Sequence, residues 1–203
     1  MPLRGAQKVY LPFKRAFDFL FSLLLILLLS PLFIILSIVC LLDTKGFPIF
    51  RQKRIGKKNK EFVILKFRSM NVKAPREIPT HLFENADQFI SKWGHFMRKS
   101  SLDELPQLFN ILIGQMSFIG PRPALWNQKD LIAFRTKAGV DAIRPGLSGY
   151  AQVHGRDSLS IEKKAELDAY YLAHFSLWLD IKLAFLSLFR ALSAKDVIEG
   201  IQS

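Results

Sequence analysis

From Phe19 to Leu42 the chain carries no charged residue, and this 24-residue run constrains its architecture more than any other stretch. A straight helix of that length extends about 36 Å, enough to cross a hydrocarbon core of about 30 Å. Pro31, preceded by Ser30, stands in its middle. A proline inside a helix removes one backbone hydrogen bond and presses on the preceding turn, so the run must kink or break there. Each half then measures roughly 18 Å, too short to span by itself. Both flanks are basic: Arg4, Lys8, Lys14 and Arg15 precede the run, and Lys45, Arg51, Lys53, Arg54, Lys57, Lys58 and Lys60 follow it. Basic flanks favour the cytoplasmic side, so both ends prefer the same side. A segment that dips in, breaks at Ser30-Pro31 and returns satisfies both ends; a spanning helix with a central proline is the competing geometry. A cleaved signal peptide fits poorly, because the run is long and no small-residue cleavage site follows it. Lys14 and Arg15 are placed to pair with lipid phosphates, with ordinary topology charges the plain alternative.

The rest of the chain is basic as well. Lys and Arg total 29 against 17 Asp and Glu, a net charge of +12. That balance directs attention to polyanionic partners: nucleic acid, anionic lipid or phosphate-bearing substrates. Cys40 is the sole cysteine, which excludes a disulfide framework and a multi-cysteine metal site. His81, His95, His154 and His174 are scattered, with no pair at ligand spacing. Neither a Walker loop nor a GxGxxG run is present.

After Leu42 the pattern changes. Pro48 to Ile55 and Glu61 to Phe67 are short β-prone runs joined by a basic turn and predict a hairpin. Ala74 to His81, with Pro75 and Pro79, predicts a loop. Helices are predicted over Glu84 to Met97, with an apolar stripe of Phe89, Ile90, Trp93 and Phe96, and over Leu102 to Ile113, ending at Gly114. Trp126 to Lys137 predicts another helix, and the glycine-rich Arg144 to Arg156 predicts loop or strand. Ser160 to Ser193 is helical; its second half, Phe175 to Leu192, suits an amphipathic helix in a membrane interface or one packed into the core. The class is α+β, mainly helical: a small hairpin with helices, one broken re-entrant membrane helix over residues 1–43, and a catalytic domain over residues 44–203 with interfacial amphipathic helices.

The sharpest local signal is Ser100-Ser101-Leu102-Asp103-Glu104-Leu105-Pro106-Gln107. One reading is structural: Ser101 and Glu104 form a capping box, with Asp103 at the positive helix end. The other is chemical. A helix N-terminus offers amides to a phosphate and keeps a nearby carboxylate ionised, hence nucleophilic, while adjacent carboxylates are hard oxygen ligands for Mg²⁺. Pro106 sits awkwardly in a helix starting at Leu102, which sets Asp103 and Glu104 just ahead of the regular turn. Around the pair lies a surplus of cations: Lys66 and Arg68 end a strand, Arg98 and Lys99 precede the serines, and Arg144 and Arg156 bracket the glycine-rich stretch. Arg122 is held between Pro121 and Pro123, whose rings restrict the backbone and suit a guanidinium that must be aimed at a phosphate.

The sequences Lys66-Phe67-Arg68-Ser69-Met70, Arg98 through Gln107, Met116 through Pro123, and Arg144 through Arg156 together resemble the bacterial sugar transferase family, the monotopic phosphoglycosyl transferases. The resemblance runs from the membrane segment to Trp178-Leu179-Asp180, and with no further membrane helix in the sequence it is similar to the minimal, PglC-type members. It implies transfer of a phospho-sugar from a UDP-sugar to a polyprenyl phosphate, usually undecaprenyl phosphate, with release of UMP and Mg²⁺ as cofactor. It further implies a ping-pong route in which Asp103 is the nucleophile and Glu104 a metal ligand or base. Lys66, Arg68, Arg98, Arg122 with its flanking Pro121 and Pro123, Arg144, Gln152 and Arg156 fall to the substrate. Ser30 and Pro31 become the hinge of a re-entrant helix at the cytoplasmic face of the bacterial inner membrane, among phospholipids and without nucleic acid as a partner. The implied donor is an N-acetylated amino-sugar such as UDP-diacetylbacillosamine, in a pathway that starts glycoconjugate assembly. Two readings compete: the same reaction by direct in-line transfer with a spanning helix, and a non-enzymatic, basic, membrane-anchored binding module, which gives Asp103 and Glu104 no role.

Overall fold

A computed structural model describes residues 3–74, 86–155 and 159–193. The uncharged run forms two helices, α1 (Gly5–Leu28) and α2 (Ser30–Thr44), bent by 66° at Leu29. Among the described residues no single helix is long and apolar enough to cross a membrane. The break falls one residue ahead of Ser30-Pro31 for a simple reason. Pro31 occupies the first turn of α2, where its missing N–H has no helical partner to lose, and the Ser30 hydroxyl donates to the Leu27 carbonyl at 2.8 Å. A second proline, Pro12, lies inside α1 without ending it.

One face of this pair packs on the rest of the chain. Leu25, Ile26, Leu29 and Phe33 pack against Phe62, Ile64 and Met116, and Leu36 and Cys40 are buried with Phe67 and Met97. The other face leaves large apolar side chains such as Leu20, Leu28, Ile34 and Leu42 exposed. Polar groups on α1 fix its rotation. Gln7 donates to the Leu172 carbonyl at 2.8 Å, and Lys14 pairs with Asp180 at 2.5 Å. Arg15 donates to the Ile111 and Leu112 carbonyls, each at 2.7 Å, and Asp18 accepts from the Phe118 amide at 3.2 Å.

The predicted hairpin is present as β1 (Ile49–Ile55) and β2 (Glu61–Phe67), antiparallel, with Ile49 opposite Phe67 and Ile55 opposite Glu61. A second sheet forms where loop or strand was expected: β3 (Ser117–Ile119) and β4 (Gly146–Ser148) run parallel. Glycine makes this closeness possible, since a Cβ on Gly146 would stand 2.1 Å from the Gly120 amide nitrogen.

The helices depart from prediction at their starts. Of the predicted 84–97 helix, Ala86–Phe89 is a 3₁₀ turn and α3 (Lys92–Lys99) begins afresh. Ser91 caps it, accepting from the Gly94 amide at 2.9 Å while its hydroxyl binds Asp43. Residues Glu84 and Asn85 and most of the predicted Ala74–His81 loop lie outside the described residues. The predicted 102–113 helix is likewise split: Leu102–Glu104 is a 3₁₀ turn, and α4 (Gln107–Leu112) starts only after Pro106. It ends at Gly114, whose φ of +85° reverses the chain. α5 (Lys129–Lys137) starts three residues later than expected because the Gln128 side chain accepts from the Leu125 amide and holds a turn there. α6 (Tyr150–Val153) is a short helix inside the glycine-rich stretch. The long C-terminal helix divides at Phe175 into α7 (Ile161–His174) and α8 (Leu177–Ser193). α8 buries Asp180 and Leu183 and exposes Trp178, Phe185 and Phe189, which makes it amphipathic.

Candidate active site

Alternation along β2 sets Lys66 on the face of Phe62 and Ile64, both buried, so its ammonium is carried inward. There Nζ donates to Glu104 Oε1 at 2.7 Å, and Arg122 Nη2 donates to the same oxygen at 3.3 Å. Asp103, next in the chain, is 8 % exposed. Burial raises its pKa above the ordinary carboxylate range; Glu104 raises it further, and Lys66, Arg98 and Arg122 pull it back. Burial lowers the Lys66 pKa, and Glu104 and Asp103 oppose that shift. The structure therefore gathers five of the predicted residues, Asp103, Glu104, Lys66, Arg98 and Arg122, into one electrostatic unit.

The unit sits against the bent helix pair. Leu102 and Leu105 pack on the cluster of Leu36, Cys40, Phe67 and Met97.

The local backbone is not the expected helix start. Ser101 lies at φ +58° and makes no side-chain cap, so the capping box does not form. A non-glycine residue held left-handed costs about 1–2 kcal/mol, and here it turns Asp103 into the site. Asp103 and Glu104 occupy the 3₁₀ turn that Pro106 separates from α4.

The other predicted residues are tied elsewhere. Arg68 Nε donates to the Phe47 carbonyl at 2.9 Å, Arg144 Nε to the Gly114 carbonyl at 2.7 Å, and Gln152 Nε2 to the Leu147 carbonyl at 2.9 Å. Lys14 is committed to Asp180 and Arg15 to the end of α4. Ser30 and Pro31 stand at the helix break. Arg156 lies outside the described residues.

Three groups whose roles the sequence does not reveal, one of them buried, hold the Pro121-Arg122-Pro123 segment. Arg135 on α5 donates Nη1 to the Arg122 carbonyl at 2.8 Å, and its Nε and Nη2 reach Asp168 Oδ2 at 2.8 and 2.5 Å. Asp168, on α7, is fully buried. Arg54 Nη1 in turn donates to the Pro123 carbonyl at 3.0 Å. With both neighbouring carbonyls clamped, the Arg122 side chain has a fixed origin. A fourth, Asn110, joins α4 to β2: its Oδ1 accepts from Leu65 N at 3.0 Å and its Nδ2 donates to the Val63 carbonyl at 2.8 Å. It thereby sets the strand bearing Lys66 against the turn bearing Asp103. In the sequence these groups are indistinguishable from solvent-facing charged and amide residues, and Arg54 stands among other polar residues, Arg51, Gln52 and Lys53.

Adjacent Asp103 and Glu104 offer hard carboxylate oxygens of the kind Mg²⁺ takes. Among the described residues no group of three acidic, His or Cys side chains forms a complete cage. That donor set fits an ion whose remaining ligands are substrate phosphate and water oxygens.

Residues 9–194 match the bacterial sugar transferase family. Over 196 residues the chain is 37% identical to the UDP-glucose:undecaprenyl-phosphate glucose-1-phosphate transferase of Escherichia coli (strain K12), covering 93% of this chain and 41% of that protein. It is 39% identical over 184 residues to the UDP-N-acetylgalactosamine-undecaprenyl-phosphate N-acetylgalactosaminephosphotransferase of Aeromonas hydrophila, covering 87% of this chain and 43% of that one. An uncharacterized sugar transferase of Bacillus subtilis (strain 168), EpsL, is 37% identical over 190 residues, covering 93% of this chain and 90% of its own length. The chain thus spans less than half of the first two relatives and nearly all of the third.

Proposed function

The chain belongs to the bacterial sugar transferase family, and from that premise we propose that it moves a sugar phosphate from a UDP-sugar to undecaprenyl phosphate and releases UMP. The observation that carries this reading is the buried Asp103 carboxylate set among Lys66, Arg98 and Arg122, directly against the bent apolar helices. A diphosphate donor and a phosphate acceptor repel each other and both carboxylates, so the reaction needs fixed cations at the meeting point.

In the proposed sequence an Asp103 oxygen attacks the phosphorus that bears the sugar. The bond from that phosphorus to the bridging oxygen of UMP breaks, and UMP leaves with the electron pair. A phosphate oxygen of the lipid then attacks the same phosphorus, the Asp103–phosphorus bond breaks, and the carboxylate is restored. Lys66 and Arg122 orient the donor phosphates, and Glu104 holds both cations in register. Asp103 and Glu104 would hold a Mg²⁺ ion, which when bound would supply charge neutralisation to the phosphates. A polyprenyl phosphate keeps its tail in lipid and its phosphate at the headgroups, which suits a site beside helices that enter and leave one leaflet. Residues 1–43 are then the re-entrant anchor and residues 44–203 the catalytic domain, on the cytoplasmic face of the inner membrane.

The donor is proposed to be an N-acetylated amino-sugar nucleotide, supported by the named activity of the Aeromonas relative. The glucose and galactose named for other relatives set the rest of the test panel. The test is UMP release by the full chain in detergent with Mg²⁺, across UDP-sugars, with and without polyprenyl phosphate. A burst without lipid and turnover with it, both abolished in Asp103→Asn, are expected. Strict dependence of the first turnover on lipid contradicts the covalent route, and silence with every donor contradicts the reaction.

A further inference from the structure

A second set of cations converges where α1, the β1–β2 turn and the segment before β4 meet. Lys14, Arg15, Lys57 and Arg144 line one cavity there, and Asp18 is the carboxylate among its lining residues. Lys14 is already neutralised by Asp180. Arg15 and Arg144 are pinned by the same turn, the first donating to the Ile111 and Leu112 carbonyls and the second to Gly114. Lys57 comes from a separate element, the turn after β1. Besides burial, Arg144 depresses the pKa of both Arg15 and Lys57, so the three charges share one field. They are separate from the catalytic unit, because the charges acting on Asp103 are Lys66, Glu104, Arg98 and Arg122. Three cations held together from three elements, facing one carboxylate, favour an oxyanion between them.

Position selects the ligand. Arg15 lies one helical turn before Phe19, where the charge-free run begins, and the neighbouring Ile113 is 65 % exposed. With α1 and α2 inserted in one leaflet, the cavity lies at headgroup depth. We propose that Arg15, Lys57 and Arg144 form a second phosphate site that takes the headgroup of an anionic membrane lipid and sets the depth of α1. The proposal rests on the reading of α1 and α2 as membrane-inserted and not on the catalytic steps.

The full chain in neutral-detergent micelles, titrated calorimetrically with phosphatidylglycerol and separately with inorganic phosphate, provides the test. Wild type is compared with Lys57→Ala, Arg144→Gln and Lys58→Ala, the last removing the same charge from an exposed neighbour on the same turn. Saturable phosphatidylglycerol binding is expected, weakened about fivefold by Lys57→Ala and at least as much by Arg144→Gln, with Lys58→Ala within about twofold of wild type. Equal losses in the Lys57 and Lys58 variants, or no saturable binding by wild type, overturn the site. Inorganic phosphate binding as tightly as the lipid overturns the lipid as its ligand. If Arg144→Gln does not fold, Lys57→Ala decides. A failure of turnover leaves this binding readout untouched, so the two proposals fail separately.

Discussion

Arg135→Lys separates the aiming of Arg122 from the charge of the site. Arg135 makes three hydrogen bonds, two to Asp168 and one to the Arg122 carbonyl. Lysine keeps the charge beside the buried Asp168 but cannot fork, so the ion pair survives and the bond to the Arg122 carbonyl is lost. One buried hydrogen bond from a charged donor is worth about 2 kcal/mol, or roughly 4–8 °C in thermal midpoint for a chain of this size. Activity should fall further than stability. Freeing the carbonyl lets the Arg122 guanidinium drift from Glu104, and a displacement of about 1 Å in a positioning group costs on the order of 10²-fold in rate. The assay is kcat/KM for UMP release, run as a double-mutant cycle with Arg122→Ala. With the guanidinium gone there is nothing left to misaim, so Arg135→Lys should add less than about threefold to the loss while its stability cost persists. An undiminished loss in the Arg122→Ala background would refute the clamp and give Arg135 an independent role.

Other substitutions test other joints. Asp103→Asn should abolish turnover yet raise the thermal midpoint at neutral pH. The folded-state pKa of Asp103 is raised, so its ionised form destabilises the fold as pH climbs from the ordinary carboxylate range through the raised value; the gain should vanish in acid and be complete above that value. Midpoints measured across pH check this, and an Asn variant less stable than wild type at pH 7 contradicts it. Gly149→Ala should cost about 3 kcal/mol or prevent folding, because the new Cβ would stand 2.0 Å from the Gly120 carbonyl oxygen; denaturant melts report it. Asn110→Ala strands the Leu65 amide and Val63 carbonyl, and should cost about 2–4 kcal/mol together with a loss of kcat as Lys66 shifts from Glu104.

The features legible in the sequence share a short range. The hairpin follows from β-prone runs around a basic turn, the helix break from Pro31, the end of α4 from Gly114, and the clustering of Asp103 and Glu104 with cations from adjacent carboxylates beside arginines. Where prediction failed, a side chain overrode the pattern. Ser91 and Gln128 restart helices through bonds that periodicity does not encode. Ser101 shows how a good cap residue is turned to another purpose by a left-handed backbone that only the surrounding packing can impose. Arg54, Arg135, Asp168 and Asn110 were invisible because single charged or amide residues look like solvent-facing ones until tertiary structure buries them. The parallel pairing of β3 with β4 joins segments of three residues each, too short to announce themselves.

The polar pegs on α1 also impose an order of events during synthesis. Their partners, from the Ile111 carbonyl to Asp180, lie 96 to 166 residues further along the chain. At about 5–20 residues per second, α1 leaves the ribosome roughly 10–30 s before Asp180 does. Through that interval Gln7, Lys14, Arg15 and Asp18 have none of their final partners at the distal end of the chain, and the helix has no fixed rotation. Its setting is locked when α8 arrives, so the placing of the bent helix pair and the closure of the remaining fold finish as one event.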